Sequence, residues 1–121
     1  MVTRIKICCI QNIREAKTAI RLGASAVGLV ARMPSGPGPI PDELIRQIAA
    51  AVPPPVGTFL LTSRTSVDEI IEHHRITNTN TIKIVDRLSD GNYSRLREAL
   101  PAIKIVQVIH VADESSVDEA I

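Results

Sequence analysis

Arg4-Ile5-Lys6-Ile7-Cys8-Cys9-Ile10 is a short β-like run, and the residues just after it decide the fold. A helix start comes at once, with Asn12 placed as an N-cap and Glu15 three residues on. A strand passed so directly to a helix opens a βα unit. In an α/β barrel the C-terminal ends of the strands form the active-site face. A thiol at Cys8 is therefore placed to do chemistry, provided the rest of the chain builds that architecture.

Along the chain, five strand-like runs alternate with five helix-like runs. The strands are expected at 4–10, 25–31, 56–61, 81–86 and 103–111. The helices are expected at 13–22, 41–51, 66–74, 93–100 and 116–121. Strand starts recur at the spacing of βα units with short loops. The punctuation agrees. Gly23 follows the first helix as a C-cap should. Pro41 suits the first turn of the second helix, with Asp42 and Glu43 facing the positive end of its dipole. Pro53-Pro54-Pro55 ends that helix and forces extended backbone. Ser66 with Glu69, and Ser116 with Glu119, have capping-box spacing, and Asn92 is placed to cap the fourth helix. Strict alternation of this kind predicts an α/β fold: a parallel sheet with right-handed crossovers.

Composition narrows the class. The 121 residues suffice for one compact domain, and no domain boundary is visible. Hydrophobic residues make up 45% but aromatics only 2%, so the core must be built from Ile, Val, Leu and Ala. Branched aliphatics of this kind dominate buried parallel strands. The net charge is +1 and no Lys/Arg cluster stands out, which gives no basis for nucleic-acid binding or an acidic membrane surface. No run approaches the ~18 apolar residues of a membrane span, and no apolar leader precedes the first strand. Neighbouring strand side chains point to opposite faces, so Cys8 and Cys9 are poorly placed to bridge each other. Free thiols suit a reducing cytoplasm, and the expected location is cytoplasmic.

The segment Met33-Pro34-Ser35-Gly36-Pro37-Gly38-Pro39-Ile40-Pro41 reads either as a stiff connector or as a long βα loop that lines a pocket. Its position directly after the second strand favours the loop. The fifth helix begins near Ser116 and the sequence stops at Ile121. A domain seldom ends inside a barely formed amphipathic helix, so the expectation is a truncated chain.

Few residues have the chemistry for a site. A free cysteine such as Cys8 is most often a small buried apolar side chain. Alternation, however, puts Arg4, Lys6 and Cys8 on one face and Ile5, Ile7 and Cys9 on the other. If the aliphatic face packs on helices, Lys6 and Cys8 point to the interior. A cation beside a thiol favours the thiolate, which can serve as nucleophile or general base. Lys83 in Thr81-Ile82-Lys83-Ile84-Val85 likewise lies opposite the Ile pair. It is either a snorkelling or Asp86-paired lysine or an interior lysine near substrate. His73 and His74 are expected at a solvated helix end, where the dipole favours His⁺. His110 ends the fifth strand, where a satisfied polar group is the commoner outcome. Asp113 and Glu114 read as first-turn helix charges. The sequence shows no metal-ligand spacing, Ser-His-Asp pattern or Gly-rich phosphate loop. The lack of a Ser/Thr/Gly-rich turn at Ile10-Gln11-Asn12 also argues against a small flavodoxin-like sheet.

Several segments taken in order resemble the phosphoribosylanthranilate isomerase family. They are Ile5-Lys6-Ile7-Cys8 with Asn12 and Glu15-Ala16, then Gly23-Ala24-Ser25-Ala26-Val27-Gly28-Leu29-Val30, then Pro34-Ser35 and the Pro41 helix start. Val56-Gly57-Thr58-Phe59-Leu60-Leu61 and Asn80-Thr81-Ile82-Lys83-Ile84-Val85-Asp86 continue the resemblance along the whole chain. It implies a TIM (β/α)8 barrel, of which this chain supplies strands one to five of the parallel sheet. It also implies an Amadori rearrangement of N-(5-phosphoribosyl)anthranilate in tryptophan biosynthesis. Cys8 is then the general base that removes the C2 proton, and an Asp on strand six is the general acid. No cofactor or metal is implied; the partner is a small phosphorylated substrate, with Lys6, Ser35 and Lys83 as substrate-binding candidates. The chain departs from the family pattern at three places. Cys9 stands where the family usually has Gly, Gly36-Pro37-Gly38 where it commonly has an Arg, and Lys83 and Val85 at its strand-four Gln and His positions. An acid beyond residue 121 makes this chain alone inactive. The alternative is a non-catalytic half-barrel that pairs with a second copy or with a complementing C-terminal barrel portion.

Overall fold

The computed structural model describes residues 2–121. Its elements alternate without exception: β1 (Lys6–Ile7), α1 (Ile13–Arg21), β2 (Ala26–Val30), α2 (Asp42–Ala51), β3 (Gly57–Thr62), α3 (Val67–Thr77), β4 (Thr81–Ile84), α4 (Tyr93–Ala99), β5 (Lys104–Gln107) and α5 (Ser115–Ala120). The five strands form one sheet in the order β1-β2-β3-β4-β5, every pair parallel. Among the described residues the sheet is open: β1 pairs only with β2, and β5 only with β4. No helix among the described residues is long and apolar enough to cross a membrane.

Local chemistry fixes the helix ends. Asn12 accepts from the Glu15 amide at 2.8 Å, Ser66 from Glu69 at 3.2 Å and Asn92 from Arg95 at 3.0 Å. After α1 the Gly23 amide reaches Ile20 O at 3.0 Å and the Ala24 amide reaches Ala19 O at 2.9 Å. That is a Schellman turn, and Gly23 takes its left-handed position with φ +105°.

One side of the sheet is covered by helices. β3 alternates between half-buried and buried residues, with Thr58, Leu60 and Thr62 on the covered side. Leu29, Leu60, Ile45 and Ile48 are fully buried where β2 and β3 meet α1 and α2. Ile70, Ile82, Ile84 and Leu96 form a second cluster under α3 and α4. Each such side chain contributes about 1.5–3 kcal/mol of burial. The opposite side carries Gly57, Phe59, Leu61 and Lys83 and remains partly open.

The structure corrects several expectations. β1 is two residues rather than seven, because Cys9 adopts φ +59° and breaks the extended run. Ile5 and Ile7 face the hollow beside α1 but are only partly covered there, at 50% and 41% exposed. Residues 103–111 likewise yield only the four-residue β5. Pro41 is the N-cap of α2, one residue outside its first turn. Ser116 and Glu119 form no capping box: Ser116 lies inside α5, its hydroxyl accepts from the Ala112 amide at 3.1 Å, and Glu119 pairs with Arg87. Asp113 and Glu114 precede α5 rather than filling its first turn, and Asp113 accepts from the Ser115 amide at 2.9 Å.

His73 and His74 are the largest correction. They are 2% and 7% exposed, because α3 runs on to Thr77 and lays both rings against neighbouring elements. His73 Nε2 lies 3.0 Å from Asp42 Oδ1, and its Nδ1 lies 2.9 Å from Thr62 Oγ1. A carboxylate only accepts, so in the neutral ring Nε2 carries the proton and Nδ1 accepts from the Thr62 hydroxyl. His73 thereby ties α2, α3 and β3 together. His74 Nε2 donates to Thr79 O at 2.7 Å.

Candidate functional site

The open, concave side of the sheet brings Lys6 and Cys8 together. Gly28 on β2 lies beneath both: a Cβ there would come within 2.7 Å of Cys8 Sγ and 3.1 Å of Lys6 Cε. The missing side chain is what leaves a seat for the thiol. From that seat Lys6 leans across the sheet until its Nζ stands 5.0 Å from the centre of the Phe59 ring, a cation–π distance. Lys83, two residues along from Phe59's β4 partner Thr81, reaches the same spot and interacts with Lys6. The expected placement of Lys6, Cys8 and Lys83 on one interior face holds.

Electrostatics follow from that crowding. Burial pushes the Lys6 ammonium below its ordinary range; the Cys8 sulfur resists, and the Lys83 charge adds to the lowering. Burial pushes the Cys9 thiol up, the neighbouring Cys8 adds to that, and Lys6 counters it. None of the strand residues is a carboxylate. The two lysines therefore face the concave side without an acidic strand residue beside them.

The segment 33–41 behaves as a βα loop rather than a linker. It folds back over the turn after β1: Cys9 Sγ donates to Pro37 O at 3.7 Å, and Gln11 Nε2 donates to Gly38 O at 3.1 Å. Gly38, at φ +89°, makes this approach possible, since a Cβ there would lie 2.8 Å from Cys9 Cβ. Ser35 is exposed in this loop and makes no hydrogen bond to Lys6, Cys8 or Lys83 among the described residues. His110 is exposed after β5, where its Nε2 contacts Val85 O at 3.0 Å. Both thiols are free, Cys8 exposed and Cys9 half-buried.

Sequence reasoning missed Gly28, Gly38 and Phe59 as parts of the site. The alternation of β3 carried a signal for Phe59, the single Phe of the chain, because it shares a face with Gly57 and Leu61. Nothing local marks Gly28 or Gly38, whose roles depend on which side chain crosses above them.

These features belong together in one class of protein: an α/β sheet built as successive βα units of a TIM-type barrel, with a cysteine at the C-terminal end of its first strand. Comparison with known proteins gives the relationship. The chain is 29% identical over 109 residues to N-(5'-phosphoribosyl)anthranilate isomerase 2 of Methanosarcina mazei, covering 89% of this chain and 48% of that protein. It is 39% identical over 74 residues to the N-(5'-phosphoribosyl)anthranilate isomerase of Stutzerimonas stutzeri, covering 59% of this chain and 35% of that one. The crystal structure of phosphoribosyl anthranilate isomerase from Thermotoga maritima superposes with a TM-score of 0.83 at 24% identity, over 98% of this chain and 56% of that one. No family model matches the chain. The chain is thus similar in sequence and fold to phosphoribosylanthranilate isomerases, and it spans about half the length of the curated relatives it matches.

Proposed function

We propose that this chain is the Cys8-bearing portion of an isomerase that carries out the Amadori rearrangement of N-(5-phosphoribosyl)anthranilate in tryptophan biosynthesis. The observation that carries the reading is the seat of Cys8 over Gly28, beside Lys6, at the C-terminal end of β1. Cys8 acts as general base on the C2 proton of the ring-opened substrate. Lys6 and Lys83 provide positive charge for the anionic groups of that substrate, and Ser35 on the overlying loop contributes a hydroxyl. The rearrangement moves protons within one molecule and needs no redox partner. Ring opening requires a general acid, and no residue of the five strands is a carboxylate. In this reading the acid is the Asp that the family resemblance puts on a sixth strand, and the chain alone is expected to give no turnover.

The test joins the chain to the segment of the Methanosarcina relative that lies beyond the matched residues. The chain alone is expected to give no turnover. The folded fusion is expected to give turnover that Cys8→Ala abolishes. A folded but inactive fusion, or activity that survives Cys8→Ala, overturns the reading.

A second reading has its own observation. Among the described residues both sheet edges are unpaired, and Ile5, Ile7 and Val106 are exposed near them at 50%, 41% and 37%. In this reading the chain is a non-catalytic half-barrel whose edges pair with a second copy or a complementing portion. A fusion that folds without gaining activity, beside a chain that self-associates, is the outcome that favours it.

A further inference from the structure

We propose that Cys8 and Cys9 together form a bidentate site for a soft, thiophilic metalloid of the trivalent-arsenic type at the mouth of the concave face. The proposal does not rest on the isomerase reading. Neighbouring cysteines in an extended strand point to opposite faces, but the left-handed backbone at Cys9, φ +59°, ends the extension between them. Each sulfur then has its own seat made by a glycine. A Cβ at Gly28 would lie 2.7 Å from Cys8 Sγ, and one at Gly38 would lie 2.9 Å from Cys9 Sγ. Both thiols are free and reachable, Cys8 exposed and Cys9 half-buried. Lys6 lies close enough to interact with both sulfurs, and the two thiols interact with each other.

Two geometric arguments select the ligand. A direct disulfide between neighbours must close across a Cα–Cα distance of about 3.8 Å, shorter than the ~4.4–6.8 Å usual for the bond. An intervening atom with bonds of about 2.3 Å to each sulfur relieves that strain. No group of three or more His, Cys, Asp or Glu side chains able to hold a metal occurs among the described residues. A cation that demands four protein ligands is therefore not served, whereas a soft centre satisfied by two thiolates is. With an organic arsenic(III) oxide the step balances: two S–H bonds and the As=O bond break, two As–S bonds form, and one water leaves. The arsenic remains trivalent.

The test adds one equivalent of phenylarsine oxide to the reduced protein, with intact mass and free-thiol counts as readouts. One adduct per chain is expected, with both thiols lost from the count, retained in excess monothiol and released by 2,3-dimercaptopropanol. Cys8→Ala, Cys9→Ala and Cys9→Gly should each weaken retention on the order of 100-fold, as loss of one arm of a bidentate ligand does. The Cys9→Gly protein suits the left-handed turn and guards against misfolding as the cause. Retention unchanged in the Cys9 variants, or adducts that link two chains, overturns the proposal.

Discussion

Cys9 sits where the backbone asks for a residue without a Cβ. Its φ of +59° costs an L side chain about 1–2 kcal/mol, and glycine escapes that cost while losing somewhat more chain entropy on folding. Cys9→Gly is therefore expected to stabilise the protein by about 1 kcal/mol, measured by urea unfolding. Gly38→Ala is expected to cost about 2 kcal/mol, since it combines a positive φ with a Cβ placed 2.8 Å from Cys9 Cβ. In the Cys9→Gly background that cost should fall by about half, because the two residues touch. Lys6 adds a pH dependence. Its pKa is lowered on folding, first by burial and also by the Lys83 charge. The unfolded chain thus binds more protons between the folded value and the unfolded value of about 10.4, and stability rises with pH through that window. Below the window the ammonium's penalty is fully present. Lys6→Met should remove that rise, as read from urea midpoints of the two proteins across the alkaline range. Sequence alternation was enough to place Lys6, Cys8 and Lys83 together. It could not show Gly28 or Phe59 as the floor they share, because that depends on register across three strands.

Among the helices and strands, the His73 relay holds more than its sequence position suggests. Asp42 at the start of α2, His73 on α3 and Thr62 at the end of β3 form one buried chain of hydrogen bonds. Thr62 Oγ1 also accepts from the Arg64 amide at 3.2 Å, which fixes the turn into α3. His73→Ala leaves the Thr62 hydroxyl short of a partner and opens a cavity, and is expected to cost about 2–4 kcal/mol in urea unfolding. Asp42→Asn should cost less, about 1 kcal/mol, because that carboxylate is partly exposed and the amide oxygen can still accept. The sequence placed all five helices and missed this relay for a reason. A His-His pair near a helix end looks solvated, and only the packing of α3 on α2 and β3 turns both rings inward. Asn80 is a second such tie: it accepts from the Thr58 amide at 2.8 Å and donates to Val56 O at 3.1 Å, joining the entrances of β3 and β4.

That five strands would run parallel was legible because apolar runs, caps and prolines recur at the spacing of βα units, and their barrel order followed from the family resemblance. What was not legible is which faces of the molecule remain open. Ile5 and Ile7 carry the composition of buried residues yet stand on an edge with no strand beyond β1 among the described residues. The protein is expected to associate with rising concentration, as light scattering after size-exclusion chromatography would record. Ile7→Lys should suppress that association without loss of helicity, since a charge on an edge strand blocks strand addition.

The left-handed residue at Cys9 also resets a count. Along an extended strand, sidedness is a matter of odd and even positions, and by that arithmetic Ile10 belongs with Lys6 and Cys8. Instead Ile10 is 4% exposed within the helix-side core, against Ala16, Val27 and Leu29. One residue outside the extended region works like a frameshift in three dimensions. It lets a single short segment send a thiol to the open face and, two positions later, an aliphatic anchor to the opposite one.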